Sequence, residues 1–192
     1  MTDHCSWQPQ NEDGASLVEF ALILPLFVML LLGMFTGGLA YNTKLSLTSA
    51  TREASRYGAT LAVSPDCGGS AGNKVDDWLN CVATVAVNSS NGELTSTVAS
   101  RYVCVSYVNP GGVLTSDDRG HSTRTLELTG AGGPVYSATD CFTKKSYGAD
   151  GFGSTQARVQ VVVTRDRKLE ALLFTQNLSL SSRSVTVYEA AG

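Results

Sequence analysis

No lysine or arginine precedes Lys44 in this 192-residue chain. That absence speaks against a cleavable secretory signal, which needs a positively charged start. Basic residues are in no excess elsewhere either: 14 Lys and Arg face 17 Asp and Glu. Three of those acids, Asp3, Glu12 and Asp13, fall in the first 14 residues, leaving a remainder balanced at 14 of each sign. A balanced chain has no basic stripe with which to track a phosphate backbone, so nucleic acid is not an expected partner. Histidine is scarce. His4 lies in the acidic leader and His121 in a polar loop, and neither neighbours a Ser or Cys in a nucleophile setting. With no base and orienting partner legible, the chain is not expected to be an enzyme. There is no CxxC and no His-bearing metal spacing, so neither a metal nor a cofactor is expected. Asp117-Asp118-Arg119-Gly120 lacks the alternating oxygen ligands of a calcium loop and reads as a polar turn. Tyr147 to Gly153 is glycine-rich without the Lys-Ser/Thr of a phosphate loop, and reads as a plain loop.

What the chain does have is one long greasy stretch. From Phe20 to Thr43 no residue is charged. At 1.5 Å per residue such a helix reaches about 36 Å, enough to cross a hydrocarbon core of about 30 Å. A helix apolar on every face is hard to surround in so small a protein, which favours a membrane span at about residues 20–43 over a core helix. The apolar run is also too long for a signal peptide, so the span is expected to be retained. Membrane lipid is the first expected partner. Two signals for orientation oppose each other. Lys44, Arg52 and Arg56 after the span, against none before it, formally place the C-terminal part in the cytoplasm. Cys67, Cys81, Cys104 and Cys141, an even number all beyond the span, argue for disulfides in an oxidising compartment. We weight the cysteines more, because so short a chain offers few charges to count. Of the three connectivities, Cys67–Cys81 with Cys104–Cys141 closes the most local loops.

The helix should begin near Ala15 and run on past the span. Leu47, Ala50, Ala54, Tyr57 and Leu61 step by 3, 4, 3 and 4 and trace one stripe, with Lys44, Arg52, Glu53 and Arg56 off it. That stripe requires a partner surface. Pro65 disfavours helix in the residue before it, so the rod ends by Ser64. Gly33 and Gly37 form a GxxxG pair inside the span, permitting close approach of a second helix. Beyond the rod, Val75, Trp78, Leu79, Val82 and Val85 or Ala86 predict a short amphipathic helix over residues 73–87. Strands are expected over 98–108, 122–129, 158–164 and 183–189, with loops between, chiefly residues 129–153. Arg165-Asp166-Arg167-Lys168 reads as a solvated turn after a strand, or else as a contact for lipid headgroups or a partner. The fold class is therefore α+β: a long N-terminal transmembrane and amphipathic helix, then a small antiparallel sheet with one short helix.

Glu19 is the residue least at home, a carboxylate at the mouth of the apolar run. A boundary residue snorkelling to headgroups would explain it. So would a partner charge: a chain cut after Gly14 would carry an amine at Ala15, and Glu19 of one subunit could meet the amine of its neighbour.

Gly14-Ala15-Ser16-Leu17-Val18-Glu19-Phe20 and the following ALILPLF resemble the N-terminus of type IV pilin-like proteins, most closely the TadE-like minor pilins or pseudopilins of the tight-adherence (Flp) pilus system. Thr51-Arg52-Glu53-Ala54-Ser55-Arg56-Tyr57-Gly58-Ala59 and the tail from Val159 are similar to that family as well. The resemblance implies cleavage between Gly14 and Ala15 by a prepilin peptidase, with Glu19 and Phe20 serving assembly. The implied organisation is a leader at 1–14, an N-terminal helix at 15–63 and an extracytoplasmic α+β domain at 64–192. Implied partners are the peptidase, other pilin subunits and the Tad assembly machinery. The implied location is the bacterial cytoplasmic membrane, single-pass with the C-terminal domain outside the cytoplasm, or the pilus itself. A single-pass surface protein that binds a ligand without polymerising is the competing expectation.

Overall fold

A computed structural model of the chain describes residues 13–62, 74–110, 122–153, 155–171 and 174–189. Helix α1 spans Asp13–Thr60, 48 residues or about 72 Å, with Pro25 inside it. Helix α2 spans Lys74–Asn88. Five strands follow, β1 at Arg101–Val108, β2 at Thr123–Thr129, β3 at Val135–Ser137, β4 at Arg158–Ala171 and β5 at Phe174–Val187, with the single-turn α3 at Cys141–Lys144 before β4. The sheet is antiparallel in the order β3-β2-β1-β4-β5. The class is α+β.

Each face of the sheet has its own apolar cluster because successive strand residues point to opposite sides. Val103, Val105, Val159, Val161 and Val163 join Leu126 and Tyr107 under α1 and α2, around Trp78. Cys104 and Val162 face the other way, against Cys141 and Phe142 of α3. Helix α2 presents Val75, Trp78, Leu79, Val82 and Ala86 to the sheet. It is tied down by the buried Asp76, which accepts from Arg124 Nε and Nη2 at 2.6 and 2.7 Å. Asp140 caps α3, its Oδ1 accepting the amides of Phe142 and Thr143 at 3.0 Å each.

Several sequence expectations need correction. The stretch 129–153 is not all loop: it contains β3 and α3, each too short to carry a periodic signal. The last strand begins at Phe174, not at residue 183, and β4 runs on to Ala171. The Arg165–Lys168 run is thus neither a turn nor wholly solvated. It lies in β4, where alternation sends Asp166 and Lys168 to solvent while Arg165 and Arg167 meet Glu93. A strand with a charged partner on one face and water on the other has no apolar pattern to betray it. Residues 1–12 of the acidic leader, Cys67, His121 and the residue 117–120 turn lie outside the described residues, whereas Asp13 and Gly14 already belong to α1 and the rod ends at Thr60, short of Ser64.

Candidate membrane and assembly interface

Helix α1 divides into two halves with opposite surroundings. In its first half the mean hydropathy over an 18-residue window reaches 2.5, and none of that window is buried within the chain. Leu17, Phe20, Leu22, Ile23, Leu26, Phe27 and their neighbours up to Tyr41 stand exposed. The helix is long and apolar enough to cross a membrane, as a single-pass anchor would be. Thr36, a hydroxyl within the bare stretch, satisfies itself on the helix: its Oγ1 donates to the carbonyls of Leu32 at 2.8 Å and Gly33 at 3.3 Å. A Cβ built on Gly33 or Gly37 would meet nothing within 4 Å, so neither glycine serves packing inside this chain. Gly14 and Glu19 are exposed near the start of the same bare half.

The second half is embedded on one side. Leu47, Ala50, Ala54 and Ala59 are buried, as are Thr43, Thr51 and Ser55. The hydroxyls meet a row of serines on β5: Thr51 Oγ1 lies 3.0 Å from Ser182 Oγ, and Ser55 Oγ 2.8 Å from Ser184 Oγ. Gly58 sits where the helix comes closest to its neighbours. A Cβ there would lie 3.0 to 3.1 Å from Val82, Trp78 and Val159. The contact line therefore passes through Ala54 and Gly58, leaving Tyr57 exposed, which corrects its place in the stripe. Small residues lie on that line because the sheet leaves no room for a ring. The stripe is also occupied by the chain's own domain, so Leu47, Ala50 and Ala54 are not free to pack another subunit. The outward face of this half carries Leu45, Ser49, Arg52, Glu53 and Arg56 around a shallow groove.

Both ends of the embedded half are fastened. At the far end the last carbonyls of the helix, orphans by geometry, find donors. Glu189 N donates to Ala59 O at 2.9 Å, while Trp78 Nε1 and Tyr188 Oη donate to Leu61 O at 3.0 and 3.1 Å. At the near end Glu93 acts as a clasp. Its Oε1 accepts from Thr43 Oγ1 at 3.2 Å and from Arg167 Nη2 at 2.5 Å, and its Oε2 lies 3.1 Å from Arg165 Nε. Lys44, the first cation after the charge-free run, donates to the carbonyl of Ser181 on β5. Sequence reasoning missed Glu93, because its partners are 50 and 74 residues away and no local pattern marks it.

Cys104 and Cys141 form a disulfide with S–S 2.00 Å and Cα atoms 5.9 Å apart, the pairing expected from the sequence. Cys81 is also disulfide-bonded. Its expected partner, Cys67, lies outside the described residues. On the loop before β4, Asp150 accepts from Gln160 Nε2 at 2.6 Å, from the Phe152 amide at 3.2 Å and from Arg158. Burial pushes its carboxyl up, but these donors outweigh burial and hold it below the usual aspartate range. Tyr102 is raised well above the ordinary tyrosine range by burial and then by Glu127, which accepts its hydroxyl proton at 3.2 Å. Both groups belong to the fold of the domain.

Compared with known proteins, residues 14–56 match the family model described as TadE-like protein. The match begins at Gly14 and ends inside the embedded half of α1. No curated protein and no solved structure matches the chain.

Proposed function

From the match of residues 14–56 to the TadE-like family model, we propose that the chain serves the Tad pilus system as a non-enzymatic minor pilin or pseudopilin. A prepilin peptidase cuts it between Gly14 and Ala15, and the mature subunit takes part in assembling an adhesive pilus. The carrying observation is the division of α1: its first half, bearing Gly14, Glu19 and Phe20, is bare, while its second half is fastened to a folded domain. A helix apolar all round and uncovered by its own chain requires lipid before assembly and neighbouring helices afterwards. Gly33 and Gly37 leave room for such neighbours.

Glu19 is the assembly residue in this reading. Once Ala15 carries a free amine, the charge of Glu19 is best neutralised by the amine of an adjacent, axially staggered subunit. The domain beyond residue 64 lies outside the cytoplasm. The disulfide between Cys104 and Cys141 supports that side, since disulfides persist where thiols are not kept reduced.

N-terminal sequencing of the membrane-extracted protein tests the proposal, and Glu19→Ala extends it. The expected start is Ala15 in both forms. The variant should insert and be processed normally yet fail to join the pilus machinery. An intact Met1 would favour the surface protein that binds without polymerising, and normal piliation in the variant would remove Glu19 from assembly.

A further inference from the structure

The two sides of β5 have different surroundings. Ser182 and Ser184 meet α1, so alternation sends Arg183 and Val185 to the opposite face of the sheet. The register agrees: Arg183 lies across from Val162 of β4, which lies across from Cys104 of β1, and both belong to the outer apolar cluster with α3. There the Arg183 guanidinium carbon stands 5.1 Å from the centre of the Tyr147 ring and 5.7 Å from that of Phe142. The residue is nonetheless exposed. Lys145 repeats the arrangement, its Nζ 3.8 Å from the centre of the Tyr102 ring. Among the described residues neither cation is paired with a carboxylate.

Arg183 borders a cavity of about 320 Å³ whose other walls include Phe142, Phe152, Val185 and the loop at Asp150. That volume is at the small end of ligand pockets, which run from about 300 to about 1,000 Å³. The acid in its wall is already taken. Asp150 accepts from Gln160, Arg158 and the Phe152 amide, and only 6% of its side chain is exposed, so it does not neutralise Arg183. The cavity thus combines apolar walls with a cation that has no acid. A guanidinium steadied by two rings is prepared to take both oxygens of a carboxylate in its planar fork.

We propose that this cavity binds an acidic sugar residue, a uronic acid of a polysaccharide outside the cell, with its carboxylate on Arg183 and its carbon-bound hydrogens against Phe152 and Val185. The inference names a class of target for the adhesive role above, and it rests on that reading for the side of the membrane on which the domain lies. A polymer suits the face better than a single acid, because Lys145 supplies a second cation. Tyr102, which carries it, lies two strands across and two residues along from Arg183, about 12 Å between Cα atoms, so acidic residues of one chain reach both. An acidic peptide suits it less. Peptide amides need backbone partners, which the face of a sheet has already used, and the outer edge of β5 is guarded by Lys44, which donates to the Ser181 carbonyl. A uronic acid chain has no amides to satisfy, and its hydroxyls stay in water at an open site.

The test uses the full chain extracted in an uncharged detergent and titrated calorimetrically with polygalacturonate, with neutral dextran and with polyglutamate. The expected result is binding of polygalacturonate alone, weakened by added salt. Arg183→Gln should weaken it about tenfold or more, and Arg183→Lys should recover only part of the loss. Lys168→Gln, which removes an exposed cation elsewhere on β4, should leave it unchanged. Dextran or polyglutamate binding as well as polygalacturonate, equal losses in Lys168→Gln and Arg183→Gln, or parent-like binding in Arg183→Gln overturns the proposal. If Arg183→Gln lowers the urea midpoint, Arg183→Met takes its place, since it keeps an apolar stem over the rings. N-terminal sequencing of the same preparation separates this inference from the one it rests on. A start at Ala15 without polygalacturonate binding loses the sugar site alone, whereas an intact Met1 with Arg183-dependent binding loses the pilin reading alone.

Discussion

Asp150 fastens its loop to β4 with one carboxylate that accepts from three donors, Gln160 and Arg158 of β4 and the Phe152 amide of the loop itself. Its carboxyl is held below the ordinary range, so it binds its proton less readily in the folded state than in the unfolded one. The stabilisation is therefore complete above the unfolded aspartate value of about 3.9 and is lost as the pH falls through the folded value. Asp150→Asn should cost stability near neutral pH and progressively less in acid, converging with the parent once both carry an uncharged side chain. Chemical denaturation across an acid pH series would read this, and a constant difference at every pH would contradict it. Glu93 and the Asp76–Arg124 pair act at the same scale, each joining a helix or turn to a strand with charged hydrogen bonds worth about 1.5–3 kcal/mol apiece where water is excluded.

At the level of elements, the closest approach between α1 and the domain is set by Gly58. Gly58→Val would drive a branched side chain into Val82, Trp78 and Val159, already within 3.1 Å of a bare Cβ. The expected loss is about 1–3 kcal/mol, visible as a lowered urea midpoint of the detergent-solubilised protein. Gly37→Val, where a Cβ meets nothing, should leave that midpoint alone. The same contact line shows what a sequence can and cannot tell. Helix α2 was legible because Trp78, Leu79 and Val82 repeat at helical spacing, and β1 because Val103, Cys104 and Val105 sit among aromatics before a turn. The outer parts of β4 and β5 were not. Arg167, Lys168, Gln176 and Asn177 lack an apolar face of their own, and their pairing is fixed by register across the hairpin. In α1, Tyr57 fits a periodic stripe as well as Gly58 does, and only the nearness of Val159 decides between them. Gly14, Glu19 and the apolar run of the candidate interface were legible because they are local and consecutive. The Glu93 clasp was not, because it joins residues far apart in the chain.

The whole molecule is a rod with a domain fastened along one end, and the disulfide lies on the face of the sheet away from that rod. It joins β1 to α3 across 37 residues, so removing it should release a long unfolded loop and cost about 4 kcal/mol in the chain-entropy description. Cys104→Ser with Cys141→Ser is expected to lower the urea midpoint while leaving the membrane anchor intact. In the unreduced parent, mass spectrometry after alkylation should find Cys81, Cys104 and Cys141 unmodified. Alkylation of Cys104 and Cys141 would instead argue for a reducing environment, and so for the opposite orientation of the domain.

The fastening of α1 also determines how the molecule responds to tension. Thr43 to Glu93, Thr51 to Ser182, Ser55 to Ser184 and Ala59 to Glu189 form a row of attachments spread along the helix, most of them directed across its axis. A pull along α1, such as extraction from the bilayer exerts, loads that row in shear, so the attachments must slip together. A pull sideways at either end would peel them one at a time.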